Sequence, residues 1–313
     1  MDLIFTAAFL VPLLAAGVRM GAPLIFGSVG DVLSEKTGVM NIALEGEMLI
    51  AALLAFMAAY SSGSLLLGVL VGGFTGLLSA LVIAFWGISR RQDQSVVGIM
   101  FNIFALGFTN FLYRATFGVR TERASVATLE TIRIPVLADI PYIGEIFFQH
   151  NILVYLAFIG AVAVWFVMKY TKFGLQAAAA GENPKAAAAA GINVVRLRYI
   201  GYMFSGFMAG IGGAFLSLGN VGTFTENMSS GRGFICLAIT ILSRWNPLFA
   251  VLAAFLFGTV EALQLRLQAM GADLPYQFFV ALPYIVTLIS LVIFGRNIRA
   301  PKDLGNAYDK ESR

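Results

Sequence analysis

From Leu65 to Ile88 the chain carries no charged side chain, and Ser95–Leu112, Ile152–Met168, Tyr199–Gly219 and Tyr276–Phe294 are equally free of charge. No other feature restricts the fold so severely. About 20 apolar residues in a row cross the roughly 30 Å of bilayer hydrocarbon as a helix. Helix is obligatory there, because backbone N–H and C=O groups meet no water in lipid and must pair within their own segment. A water-soluble fold is excluded on composition as well. Only 12% of the residues are charged, about half the share of an ordinary soluble domain. The expectation is an all-α integral membrane protein: one domain over residues 1–313, a polytopic bundle of about 8–10 transmembrane helices with broken or re-entrant segments.

The broken segments are expected among the less regular runs. Leu3–Val32 is interrupted by Arg19, and Ile42–Tyr60 carries Glu45 and Glu47. Val221–Leu242 holds Glu226 and Arg232, and Pro247–Leu265 holds Glu261. Polar or irregular backbone survives at membrane depth only against protein or a watery cavity. Whether Leu3–Val32 crosses once or twice is left open by its pattern. Met1–Leu14 has neither the basic start nor the cleavage site of a signal peptide and reads as a retained helix.

Lysine and arginine set the orientation. Lys169, Lys172, Lys185, Arg196 and Arg198 place the loop 170–198 in the cytoplasm. Arg90 and Arg91 place the turn 89–94 there, and Arg296, Arg299, Lys302, Lys310 and Arg313 the tail 295–313. These anchors agree if 220–243 passes inward and 246–266 outward. The 114–150 loop is then extracytoplasmic, although Arg114, Arg120, Arg123 and Arg133 run against the rule. Glu122, Glu130, Asp139 and Glu145 balance them in charge, but acids count little in it.

Two stretches carry chemistry. In FGLQAAAAGENPKAAAAAGINVVRLRY, from Phe173 to Tyr199, Gln176–Ala180 favours helix and Gly181 is expected to stop it. Asn183 can cap a second helix opened by Pro184 and closed at Gly191. Two short alanine-faced helices joined by a tight turn lose little side-chain entropy on docking to another protein. Composition alone leaves open whether this elbow docks or merely connects spans. The second stretch is Ser34–Glu47, SEKTGVMNIALEGE. A carboxylate near the bilayer centre costs on the order of 3 kcal/mol, so Glu45 is expected against protein, a cavity or the surface. Asn41 and Glu45 share a face if one helix includes both. They lie either on a polar solute's route or near the membrane surface as caps.

Asn102, Thr109, Asn110, Asn220, Thr223, Glu226 and Asn227 add polar groups to other spans. Intramembrane Asn side chains join helices by hydrogen bonds at least as often as they touch a solute. Gly72, Gly73 and Gly76, and Gly206, Gly210 and Gly213, are expected to permit close helix packing. A faint echo relates Gly38–Glu47 to Gly231–Thr240, each a glycine-led entry into an apolar helix; transporters often contain such related halves.

Several activities are excluded. No G-x-x-x-x-G-K-[ST] loop occurs, nor G-x-S-x-G, H-E-x-x-H or C-x-x-C. The single histidine, His150, leaves no His-rich metal site, and the single cysteine, Cys236, no internal disulfide. The five charge-free spans carry no acid or histidine that would mark an ion relay. Basic residues flank apolar runs instead of forming a nucleic-acid face.

GVMNIALEGEMLIAALLA (38–55), the 173–199 stretch and GRGFICLAITILSRWNPLFAVLAAFLFG (231–258) together resemble three signatures of bacterial ABC-importer permeases. The group is the branched-chain amino acid, ribose and simple-sugar superfamily. Within it the chain is most similar to the shorter permease of nucleoside importers, in order from about residue 20 to 298. Ser243, where glycine is expected, departs from the pattern and should alter packing, not role. The resemblance implies a non-catalytic subunit in a bacterial inner membrane, paired with a second permease. A cytoplasmic ATPase would bind ATP and Mg, and an outer lipoprotein would deliver solute. It makes Gly174, Gly181, Glu182, Asn183, Pro184 and Gly191 the ATPase-coupling residues. It places the Gly38–Glu47 motif on the translocation path, for which Asn41, Glu45, Asn102, Asn110, Asn220 and Glu226 are the candidates. The same machinery carrying ribose or another sugar is the nearest rival, and a standalone secondary transporter or channel a more distant one.

Overall fold

A computed structural model describes residues 7–118, 124–270, 276–294 and 299–309. The apolar runs are helices: α1 (Ala7–Lys36), α2 (Leu44–Ser62), α3 (Leu65–Ala84), α4 (Gln94–Phe117), α6 (Ile152–Tyr170), α9 (Val194–Ala214), α11 (Pro247–Ala269) and α12 (Tyr276–Phe294). Between them lie the short α5 (Ile143–Phe147), α7 (Lys172–Glu182), α8 (Pro184–Ala189) and α10 (Arg232–Leu242). Among the described residues, seven helices are long and apolar enough to cross a membrane, and α12 adds a further apolar helix of 19 residues. The fold is the expected all-α polytopic bundle. Only β1 (Thr131–Arg133) and β2 (Gln149–Asn151) form a described strand pair, antiparallel with Ile132 opposite His150.

Side-chain caps set where helices begin. Ser64 accepts from Leu67 N–H, Asp93 from Ser95 and Val96, Asn151 from Val154, Asn193 from Arg196 and Asn246 from Leu248. Each oxygen satisfies an N–H that the helix itself leaves unpaired. α1, α2 and α9 form the buried inner layer, with α4, α6 and α11 largely exposed outside it. The glycines expected to allow close packing do so. A Cβ on Gly76 would collide with the Gly206 carbonyl, and one on Gly210 with that of Gly72, so α3 and α9 meet backbone to backbone.

The chain visits two ends of the bundle. At one lie the α1–α2 turn, the 90–93 turn, α7–α8 and the tail, joined by Asp303 N–H to Gly181 O, Gly305 N–H to Gly38 O and Arg91 to Asp309. At the other lie residues 124–151 and 222–230, joined by Val126 N–H to Gly222 O and Arg114 to Glu226. His150 sits in β2 with Nε2 2.7 Å from Ile146 O; burial holds its pKa below the ordinary imidazole value.

One open alternative is resolved and some expectations are corrected. From Ala7 to Lys36 the first run is one unbroken helix of 30 residues, so it crosses once; residues 1–6 lie outside the described residues. The 114–150 loop begins only after Phe117, because α4 continues through Arg114. Arg120, Arg123, Arg296, Lys310 and Arg313 lie outside the described residues. The pass over 220–243 is broken. α9 continues through a π-turn, Phe215–Val221, and bends at Gly222 (φ 69°). Only at Arg232 does α10 start, and its 11 residues reach about 16 Å, half the hydrocarbon.

Candidate coupling and translocation site

The Gly38–Glu47 motif is not a helix over its whole length. Gly38 (φ 92°) ends the turn after α1, and α2 starts only at Leu44. Asn41 is therefore outside the helix, and the shared face with Glu45 does not exist. Unwound backbone in a buried place needs partners, and neighbouring side chains supply them. Ser34 Oγ donates to Val39 O at 2.9 Å. Met40 N–H donates to Gln94 Oε1 at 2.9 Å. Asn102 Nδ2 donates to Ile42 O, while its Oδ1 accepts from Gly46 N–H, both at 2.8 Å. Gln94, Gly98, Asn102 and Ala105 share one face of α4 at helical spacing. A Cβ on Gly98 would reach 2.8 Å from Ile42 Cβ, so this face fits directly onto the motif.

Asn41 is fully buried at the centre of this arrangement. Its Oδ1 accepts from Tyr202 O–H at 2.8 Å and Ala43 N–H at 3.2 Å. Its Nδ2 donates to Glu47 Oε2 at 2.9 Å and Ser205 Oγ at 3.1 Å. Both donors and both lone pairs are occupied. Asn41 thereby ties the motif to α2 and α9.

Glu45 joins the two stretches whose sequences echo each other. Gly231 N–H donates to its Oε1 and Gly233 N–H to its Oε2, each at 2.7 Å. These N–H groups open α10, so one carboxylate closes the N-terminus of a helix that begins in mid-bundle. The positive end of the helix dipole favours an anion there. Gly233 is required by closeness, since a Cβ would strike the backbone of Glu45. Arg232, beside it, pairs with Glu261 of α11. Both echo segments open on a left-handed glycine, Gly38 and Gly231.

The elbow is present as two helices. Thr171 caps α7, and Gly174 is buried where a Cβ would collide with the Met168 backbone, folding α7 back on the end of α6. Asn183 Oδ1 accepts from Ala186 N–H at 3.0 Å with Pro184 in the first turn of α8, as expected. Gly191 (φ 82°) closes it. Gly181 does not end the first helix: α7 runs on to Glu182. Gly181 is instead a contact residue, since a Cβ there would strike Lys36 O and come within 3.2 Å of Gly38 N. The elbow's backbone thus rests on the turn leading into the motif. Glu182 and Asn183 are exposed at the bend.

The other candidates are scattered. Asn110 on α4 is partly buried, with an Oδ1 that no described group meets. Asn220 lies in the π-turn after α9. Glu226 is exposed at the far end, where Arg114 Nε donates to it at 2.8 Å and holds its carboxyl below the usual range. Sequence reasoning missed Gln94, Tyr202, Ser205 and the buried bond from Trp245 Nε1 to Glu35 Oε2. Gln94 alone had a readable signal, two helical turns before Asn102. Ser243 has an ordinary φ of −72° and its Oγ donates to Thr240 O at 2.8 Å. The left-handed positions are Arg244 and Trp245, so the departure from glycine imposes no strain.

Seven helices long and apolar enough to cross a membrane among the described residues, a pass broken between Val221 and Arg232 and a two-helix elbow resting on the α1–α2 turn define a multi-pass membrane protein of the permease class. The chain belongs to the family described as branched-chain amino acid transport system / permease component, whose model matches residues 13–293. It is 37% identical to the guanosine ABC transporter permease protein NupQ of Bacillus subtilis (strain 168), over 100% of both chains. It is 35% identical to the nucleoside ABC transporter permease protein NupC of Lactococcus lactis subsp. cremoris (strain MG1363), over 92% of this chain and 93% of that one. It is 34% identical to the putative glucose ABC transporter permease protein TsgC13 of Haloferax volcanii, over 85% and 81%. No solved structure matches the chain.

Proposed function

We propose that this chain is one of two permease subunits of an ATP-driven nucleoside importer in a bacterial cytoplasmic membrane. α7 and α8 dock on a separate ATPase, which binds ATP and Mg, and a lipoprotein outside delivers the solute. The observation that carries the reading is the seat of Gly181 on Lys36 and Gly38. Displacement of the elbow reaches the α1–α2 turn through backbone contact, and from there Asn41, Glu45 and the start of α10. Because Asn41 and Asn102 are engaged in holding the motif, they act on the path by positioning α2. Asn110, Asn220 and Glu226 are the remaining candidates for solute contact. The nucleoside assignment is supported by the names of NupQ and NupC. A sugar is the second reading, favoured by TsgC13.

Uptake by the reconstituted transporter tests both. Labelled nucleoside should accumulate only with ATP and the ATPase present, and excess unlabelled nucleoside should compete while glucose and ribose do not. Competition by sugars alone would replace the cargo. Full-rate uptake without the ATPase would end the reading.

A further inference from the structure

Pro301–Asp309, within the last described stretch, lies outside the signatures on which the function rests, yet it is bound on several sides. Asp303 N–H donates to Gly181 O at 2.9 Å and Gly305 N–H to Gly38 O at 3.1 Å. Arg198, near the start of α9, is 1% exposed. Its Nη2 meets Asp303 Oδ2 at 2.6 Å, its Nη1 donates to Asn306 O at 2.8 Å, and its guanidinium lies 5.8 Å from the Tyr308 ring centroid. Tyr308 packs on the apolar cluster of Ala180, Ala187, Val194 and Leu197. At the far end of the stretch Asp309 pairs with Arg91 at 2.9 Å.

We infer that this tail is a tie between the ATPase-facing elbow and the α1–α2 turn, with Arg198 and Asp303 as positioning residues for transport coupling. The inference rests on the proposed function. Its physical basis is the difference between pushing and pulling. Gly181 packs on Lys36 and Gly38 and Glu182 attracts Lys36, but an exposed charge and van der Waals contact resist separation far less firmly than compression. Alternating access needs the turn to follow the elbow in both directions. The tail supplies the return, because one short segment is hydrogen-bonded to Gly181 on one side and Gly38 on the other. Arg198 keeps it in place: a buried guanidinium stripped of its partners is costly, so the tail stays docked as the elbow moves.

Asp303→Asn removes the charge from the Arg198 partner and keeps its shape. In proteoliposomes holding the complete transporter, the amount inserted should be unchanged. Uptake per ATP hydrolysed should fall at least about fivefold, the lower range of a coupling between sites. Asp303→Glu should recover most of it. An unchanged ratio in Asp303→Asn overturns the inference. If that variant is poorly inserted, Gly305→Ala decides. It strains the φ of 78° with nothing closer to its Cβ than Met40 Cε at 3.9 Å. A fall in its ratio supports the tie and an unchanged ratio refutes it. Wild-type uptake indifferent to ATP would instead sink the proposed function itself, so the two failures are told apart.

Discussion

Glu45 shows how one side chain can settle the place of a whole segment. In the sequence it is a carboxylate facing a cost of about 3 kcal/mol at membrane depth; in the fold that carboxylate receives the N–H groups of Gly231 and Gly233. Each is a charge-assisted bond, and α10 has no other side-chain cap. Glu45→Ala should therefore lower stability by about 2–4 kcal/mol, read as a drop in the unfolding temperature of detergent-solubilised protein. Glu45→Asp should lie between, because its shorter side chain reaches one N–H more easily than both. An unchanged unfolding temperature in Glu45→Ala would mean that water or another group caps α10. Asn41 illustrates the other residue-level outcome. Its polarity is plain in the sequence, but its bonds to Tyr202 and Ser205 depend on a helix far along the chain.

At the scale of elements, α3 and α9 are held at close range by glycine, with Gly72 and Gly76 facing Gly210 and Gly206. Without a hydrophobic drive between helices in lipid, such intimate van der Waals packing is what associates them. Gly210→Val places branched carbons against the Gly72 carbonyl and should cost about 1–3 kcal/mol or more. The expected readout is a lower unfolding temperature with helix content by circular dichroism unchanged, because the helices persist while their contact is lost. The glycine spacing was legible as a packing surface; which helix it met was not. In the elbow the sequence and the fold differ at a single boundary. Asn183 and Pro184 announce α8 by local capping chemistry, whereas the continuation of α7 through Gly181 follows from the Lys36–Gly38 turn it must approach.

Across the whole molecule, the two ends of the bundle are linked by α1, which carries the Lys36 end under the elbow and the Phe9 end beside Arg266 of α11. A push at the elbow is therefore applied to the most buried layer of the structure. Glu182 is exposed at the bend, where a docked ATPase would meet it. Glu182→Arg should leave insertion and the unfolding temperature as they are and reduce ATP-driven uptake by about tenfold, the order of a reversed charge at a docking surface. Normal uptake by this variant would show that the bend is not the contact. The same charge reversal would leave a standalone transporter unaffected, so the measurement also separates the two kinds of machine.

What the sequence determined alone is whatever depends on neighbours along the chain. Run length and freedom from charge dictate membrane-crossing helices. Asn, Asp and Ser before apolar runs dictate their starts. Tertiary structure decided which polar side chains answer the unwound backbone between Gly38 and Leu44, that Glu45 closes α10, and that the tail binds both Gly181 and Gly38. Those bonds join residues far apart along the chain, Gly38 and Gly305 the farthest. The physical reason is that helix formation is a local competition between backbone and solvent. The pairing of buried polar groups is settled only once packing has removed every other partner they could have had.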